Sequence, residues 1–130
     1  MSEIPKKILL VDDDTFLLDM YSLKFTKAGY EVKSSDSTEN ALKMLRDGYE
    51  PDVMLVDIVM PAMDGLEFVA HVRKEALAKN SAIIMLTNQS ASEDVARSKK
   101  MNIDGYIVKA TTIPSEVLGE VEKICQSKKI

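Results

Sequence analysis

Four short, unbroken apolar runs constrain this chain most: Ile8-Leu9-Leu10-Val11, Val53-Met54-Leu55-Val56, Ile83-Ile84-Met85-Leu86 and Tyr106-Ile107-Val108. None alternates apolar with polar residues, as a strand with one wet face would. Continuous runs of this length are how strands read when helices cover both faces of a parallel sheet. A more polar run, Tyr30-Glu31-Val32-Lys33, reads as an edge strand. Between the runs lie stretches of helical spacing. The first opens at Asp14-Thr15, carries Leu17, Met20, Tyr21 and Ala28 at helical intervals, and reaches Gly29, where a glycine that ends a helix would sit. A second spans 37–48, with Ala41, Leu42 and Leu45 facing inward and Gly48 at its end. A third runs from Gly65 through Leu66, Val69 and Val72. A fourth, over about 92–101, is poor in large apolar residues and is expected to be loosely held. The last begins near Pro114 and presents Val117, Val121 and Ile124. Asp104-Gly105 marks a turn before the final strand. Strands and helices therefore alternate, with connections short enough for right-handed crossovers, and the predicted class is α/β with a five-stranded parallel sheet.

Composition narrows the function. The chain has 130 residues, 45% of them hydrophobic and 29% charged, the balance of an ordinary globular domain with a real core. With 17 basic and 21 acidic side chains the net charge is −4, which argues against a nucleic-acid or anionic-membrane surface. Cys125 is the sole cysteine, so neither an internal disulfide nor a cysteine-based metal site can form. The longest apolar run, Ala82 to Leu86, is far short of a membrane span, and the four apolar residues before Asp12 do not make a signal peptide. The expectation is a reduced, cytoplasmic protein forming one domain over 1–130, its core at about 6–123, without an output domain.

The chemistry sits at the strand ends. In an open parallel sheet, ligands bind beyond the carboxyl ends of the strands. The first strand ends in Asp12-Asp13-Asp14, the third in Asp57, the fourth in Thr87 and the fifth in Lys109. Taken singly, each has an ordinary explanation: acid runs cap helices, as Asp14 is expected to do, and a lone Thr or Lys is a turn or surface residue. Their joint placement at one edge is what these explanations miss. Asp12, Asp13 and Asp57 brought together would repel one another unless a cation were present, and Mg²⁺ suits a cluster of hard oxygen ligands. Beside a metal, a lysine and a hydroxyl, a carboxylate is competent to attack phosphorus and form an aspartyl phosphate.

Lys7 to Asp14, Val56-Asp57-Ile58-Val59-Met60-Pro61-Ala62-Met63-Asp64-Gly65, Leu86-Thr87 and Tyr106-Ile107-Val108-Lys109 together resemble the receiver domain of two-component response regulators. The resemblance runs from about Lys6 to Lys123. It implies a doubly wound, flavodoxin-like sheet of strand order 2-1-3-4-5. It also implies that Asp57 takes a phosphoryl group from the phosphohistidine of a sensor histidine kinase or phosphotransfer protein. Asp13 and Asp57 would bind Mg²⁺ directly with the backbone carbonyl of Val59, and Asp12 through a water. Lys109 would pair with the phosphoryl oxygens, Thr87 would swing its hydroxyl onto them, and Tyr106 would turn inward as the switch. The face made by the fourth helix, fifth strand and fifth helix would then dock a downstream protein, and a phosphorylation-linked homodimer is left open. Such a chain catalyses only its own phosphorylation and dephosphorylation, and is not an enzyme acting on a separate substrate.

Two positions depart from the family pattern. Ala110 follows Lys109 where a proline with a cis bond is usual, and a cis bond to a non-proline residue costs ~2.5–4 kcal/mol. Asn88 follows Thr87 where a small residue is usual; with Gln89 and Val59 it predicts an altered phosphoryl lifetime. Three other readings compete. A haloacid-dehalogenase-like phosphatase would use Asp12 as nucleophile, but Phe16 breaks that family's Asp-x-Asp-x-(Thr/Val) pattern. A flavodoxin-like FMN binder would need a Ser, Thr and Gly loop where three aspartates stand. A receiver silent to phosphorylation would serve as a constitutive interaction module. His71, without an expected acid partner, reads as exposed. The eight methionines read as core filling, and Lys99-Lys100 and Lys128-Lys129 as solvated charge, with Lys99 on the expected docking face.

Overall fold

In a computed structural model, residues 6–87, 101–109 and 112–128 are described. Five strands, β1 (Lys7–Val11), β2 (Glu31–Ser35), β3 (Val53–Asp57), β4 (Ala82–Thr87) and β5 (Gly105–Val108), form one parallel sheet in the order β2-β1-β3-β4-β5. The described helices are α1 (Thr15–Lys27), α2 (Thr38–Arg46), α3 (Gly65–Lys74) and α4 (Pro114–Lys128). The helix expected over 92–101 falls on residues that lie outside those described, apart from Met101, which is in a turn.

The runs in β1, β3 and β4 are strands buried on both sides, as expected, whereas the run in β5, at the other edge of the sheet, buries only Ile107. Successive side chains point to opposite faces, so the runs divide between two cores. Leu9, Val11, Met54, Val56, Ile83 and Met85 pack with residues of α2 and α3. Ile8, Leu10, Val53, Leu55, Ile84 and Leu86 pack with residues of α1 and α4. Phe68 and Phe25, one in each core, are completely buried, and each contributes about 2–3 kcal/mol by leaving water. The edge strand β2 is mostly exposed, in keeping with its polar sequence.

Local signals start and stop the helices. Asp14 caps α1, its carboxylate accepting from Leu17 N–H at 3.2 Å, and Ser37 caps α2 through Asn40 N–H at 3.1 Å. Asp64 and Glu67 form a reciprocal capping box on α3, with bonds of 2.8 and 2.9 Å. Gly29 and Gly48, at φ 96° and 107°, supply the left-handed turns that follow α1 and α2.

One expected face is corrected. Met20 is 36% exposed and Ala28 is exposed, while α1 buries Leu18, Tyr21 and Phe25. Apolar residues lie on both sides of this helix, Phe16, Met20 and Leu23 outward, so spacing alone could not choose between them. The turn expected before the final strand ends at Asp104, and Gly105 is the first residue of β5; a Cβ there would meet Ile124 of α4.

Candidate functional site

Register builds the site. Val11 pairs with Val56, which sets Asp12 and Asp57 level at the carboxyl ends of the two central strands. Thr87 pairs with Val108, which sets Lys109 one residue beyond. Asp12, Asp13 and Asp57 can each offer a carboxylate oxygen within 4.8 Å of the others. Asp12 and Asp57 are buried and Asp13 is exposed, so the cluster is a pit with one acid on its rim.

Lys109 reaches into it. Its ammonium lies 2.9 Å from Asp12 Oδ2 as an ion pair outside hydrogen-bond geometry, and donates to Asp57 Oδ2 at 3.2 Å. Asp12 Oδ1 accepts from Asp14 N–H at 3.0 Å. Among the described residues, Asp57 Oδ1 and Asp12 Oδ2 are buried with no hydrogen-bond donor. Lys109 thus serves both buried acids. Burial, and then the neighbouring Asp12 charge, push the Asp57 carboxyl up to about 7, against the lowering effect of Lys109. For Lys109, burial disfavours the ammonium, but the two carboxylates outweigh it and hold its pKa above the ordinary value. Tyr21, on the buried face of α1, has its hydroxyl raised chiefly by burial, with Asp12 and Asp57 adding to it.

The loop after β3 is tightly closed. Ile58 N–H donates to Leu86 O at 2.9 Å, and Gly65 N–H returns to Ile58 O at 2.8 Å. A Cβ on Gly65 would collide with the carbonyl oxygen of Asp57, so only glycine lets α3 begin against the backbone of this acid. Within the loop Ala62 takes φ 67°, a left-handed conformation that costs about 1–2 kcal/mol in a non-glycine residue. Val59 lies on the rim, 59% exposed.

Thr87 and Tyr106 belong to the other face of the sheet. Thr87 is buried at the end of β4, two residues after Met85, and Tyr106 packs partly buried against the core that holds Met85. Asp12, Asp13, Asp57, Thr87 and Lys109 are therefore brought to one edge, the three acids in mutual reach and Lys109 against Asp12 and Asp57, while Tyr106 lies lower in β5, paired with Met85. Asn88, Gln89, Lys99, Lys100, Ala110 and the Lys128 and Lys129 side chains lie outside the described residues, and with them the Lys109–Ala110 bond. His71 is exposed as expected, but it has an acid: Glu75 Oε2 is 3.8 Å away, already engaged by Arg46 at 2.6 Å. Sequence reasoning gave no separate role to Gly65 and none to Thr38. Thr38 is completely buried and donates to Met63 O at 2.5 Å.

Three carboxylates, two of them with a buried oxygen that has no hydrogen-bond donor among the described residues, offer hard oxygen ligands beside Lys109, and that chemistry fits a hard divalent cation. Among the described residues no helix is long and apolar enough to cross a membrane.

Residues 8–119 match the response regulator receiver domain family. The alkaline phosphatase synthesis transcriptional regulatory protein PhoP of Bacillus subtilis is 30% identical over 125 residues, 96% of this chain and 50% of that protein. The chain spans about half the length of the curated relatives it matches. Among solved structures, a CheY-like receiver domain protein from Methanospirillum hungatei superposes with TM-score 0.86 at 27% identity, covering 97% of this chain and 98% of that one. The chemotaxis protein CheY4 of Vibrio cholerae gives 0.85 at 31% identity, covering 93% and 99%. With the sheet order, the acid cluster and a family match over most of its length, this chain belongs to the response regulator receiver domains.

Proposed function

We propose that the chain is a Mg²⁺-dependent phosphoacceptor of a two-component phosphorelay, with Asp57 as the acceptor. The observation that carries this is the state of Asp57: buried, one oxygen held by Lys109 and the other without a donor among the described residues. Asp12 Oδ1 accepts from Asp14 N–H and its Oδ2 lies 2.9 Å from the Lys109 ammonium, which leaves Asp57 Oδ1 the more open oxygen and favours Asp57 over Asp12 as the nucleophile. Mg²⁺ would be held by Asp13, Asp57 and the Val59 carbonyl, with Asp12 acting through a water. When bound, it would offset the negative charge gathering on the acids and the incoming phosphoryl group.

In the transfer, an Asp57 oxygen forms the new bond to phosphorus. The nitrogen–phosphorus bond of the donor phosphohistidine breaks and its electron pair returns to the imidazole. Lys109, fixed by Asp12, pairs with the phosphoryl oxygens. Thr87, buried at the adjoining strand end, supplies its hydroxyl to them, and Tyr106 on the same face follows it inward. The donor has to seat on the mouth of the pit. Val59, two residues beyond Asp57 and 59% exposed, offers it apolar contact there. The downstream partner docks on the β5/α4 side together with the segment between β4 and β5. The chain works in the cytoplasm, binds no nucleic acid through this domain, and performs only its own phosphorylation and dephosphorylation.

Intact-protein mass spectrometry after incubation with acetyl phosphate tests this, with Mg²⁺ or EDTA, on the wild type and on Asp57→Ala. One Mg²⁺-dependent phosphoryl adduct, absent from the variant, is expected. An adduct that survives Asp57→Ala and disappears in Asp12→Ala would overturn the assignment. If the wild type forms no adduct and does not bind beryllium fluoride with Mg²⁺, the domain is a silent interaction module.

A further inference from the structure

We propose that Thr38 is a positioning residue for the acid cluster: by holding Met63, its hydroxyl sets how tightly the site takes Mg²⁺. The inference rests on the phosphoacceptor reading above. Thr38 is the first residue of α2 and is 0% exposed, yet it does not turn its hydroxyl onto its own helix. Threonines at helix starts ordinarily satisfy themselves locally. This one donates to the carbonyl of Met63, 25 residues away, at 2.5 Å.

The bond links the two halves of the site. On one side, Asp12 N–H donates to Ser35 O at 3.2 Å, and Ser35 Oγ donates to Ser37 O at 2.7 Å. The segment 35–38 is therefore tied to the first acid of the cluster. On the other side, Met63 belongs to the loop that begins at Val59, the proposed backbone ligand. Its ends are fixed by the Ile58–Leu86 and Gly65–Ile58 bonds, and Thr38 grips it between them. Ala62, immediately before Met63, is in the left-handed conformation, which the loop will leave more readily without that grip. Losing the bond frees the loop to move relative to Asp12 and Asp13, and the cation then has to order it on binding.

The test compares Thr38→Val, which keeps the shape and removes the hydroxyl, with Thr38→Ser, which keeps the hydroxyl and removes a methyl. Mg²⁺ binding to the full chain is measured by calorimetry, urea stability by circular dichroism, and phosphorylation by acetyl phosphate across a Mg²⁺ titration. The valine variant is expected to bind Mg²⁺ roughly three- to tenfold more weakly, the range of one lost hydrogen bond. Its phosphorylation rate at saturating Mg²⁺ should stay within about twofold of wild type, because the reacting groups are untouched. Serine should restore the affinity even where it lowers stability. Wild-type Mg²⁺ affinity in the valine variant overturns the proposal, as does a serine variant whose binding weakens in step with its stability. A wild type that neither binds Mg²⁺ nor forms the adduct sinks the phosphoacceptor reading, and this inference with it. Wild-type binding and phosphorylation alongside an unaltered valine variant sink this inference alone.

Discussion

Replacing Asp57 with asparagine should make the metal-free protein more stable. Asp57 and Asp12 are buried side by side with one lysine between them, and the Asp57 carboxyl is pushed from its ordinary 3.8 up to about 7. Between those values the folded chain holds a proton that the unfolded chain has released. Folding stability therefore falls as the pH rises through that window and levels off above it. The gap between 3.8 and about 7, at about 1.4 kcal/mol per pH unit, sets a ceiling of about 4 kcal/mol. Burial of the charge and then its repulsion from Asp12 make up this ceiling, and the neutral amide is expected to recover about half of it, about 2 kcal/mol. The substituted side chain keeps an acceptor for Lys109 and carries no charge. Urea unfolding followed by circular dichroism in EDTA should show Asp57→Asn about 2 kcal/mol more stable than wild type at pH 8, with the advantage fading towards pH 4. Excess Mg²⁺ should reverse the order, since a ligand at a hundred times its Kd stabilises the wild type by about 2.7 kcal/mol. A variant less stable than wild type at pH 8 in EDTA, or an advantage that does not change with pH, would refute the account of these charges.

Three further substitutions probe other parts of the site. Lys109→Met removes the shared cation from two buried acids, so at pH 8 in EDTA it should cost about 3 kcal/mol by urea unfolding, with Mg²⁺ recovering part of the loss. Gly65→Ala drives a methyl into the Asp57 carbonyl and should cost about 2–3 kcal/mol while slowing phosphorylation by acetyl phosphate; wild-type values of both would contradict the close approach of α3 to that carbonyl. Asp64→Ala breaks the capping box of α3 and should cost about 1 kcal/mol in thermal or urea unfolding without abolishing the adduct on Asp57.

The strands covered on both faces were legible because burial on two sides leaves unbroken apolar runs, and their terminal acids and lysine were legible because strand ends share an edge. β2 was harder. Its observed span, Glu31–Ser35, runs past the expected Tyr30–Lys33 into Ser34 and Ser35, which pair with Leu10 and Val11. The face of α1 was misassigned because Phe16, Met20 and Leu23 make an outer apolar stripe that competes with Leu18, Tyr21 and Phe25. Gly105 shows a different failure. The residue was noticed but its reason was not, since close packing against Ile124 is a tertiary fact. Thr38 was read only as part of a helix start. Nothing in Ser37-Thr38-Glu39 signals a partner 25 residues away.

The order of the strands also has a consequence during synthesis. β1 pairs with β3 at the centre of the sheet, so Asp12 and Asp57 can meet as soon as β3 has left the ribosome. Lys109 follows Asp57 by 52 residues. At elongation rates of roughly 5–20 residues per second, that interval lasts roughly 3–10 s. For those seconds a nascent chain that pairs β1 with β3 holds two carboxylates together without Lys109 to separate them. A proton or a divalent cation from the surrounding solution is then the counter-ion at hand, so the ionic conditions of the cell bear on how the nascent sheet closes before any signal reaches the finished protein.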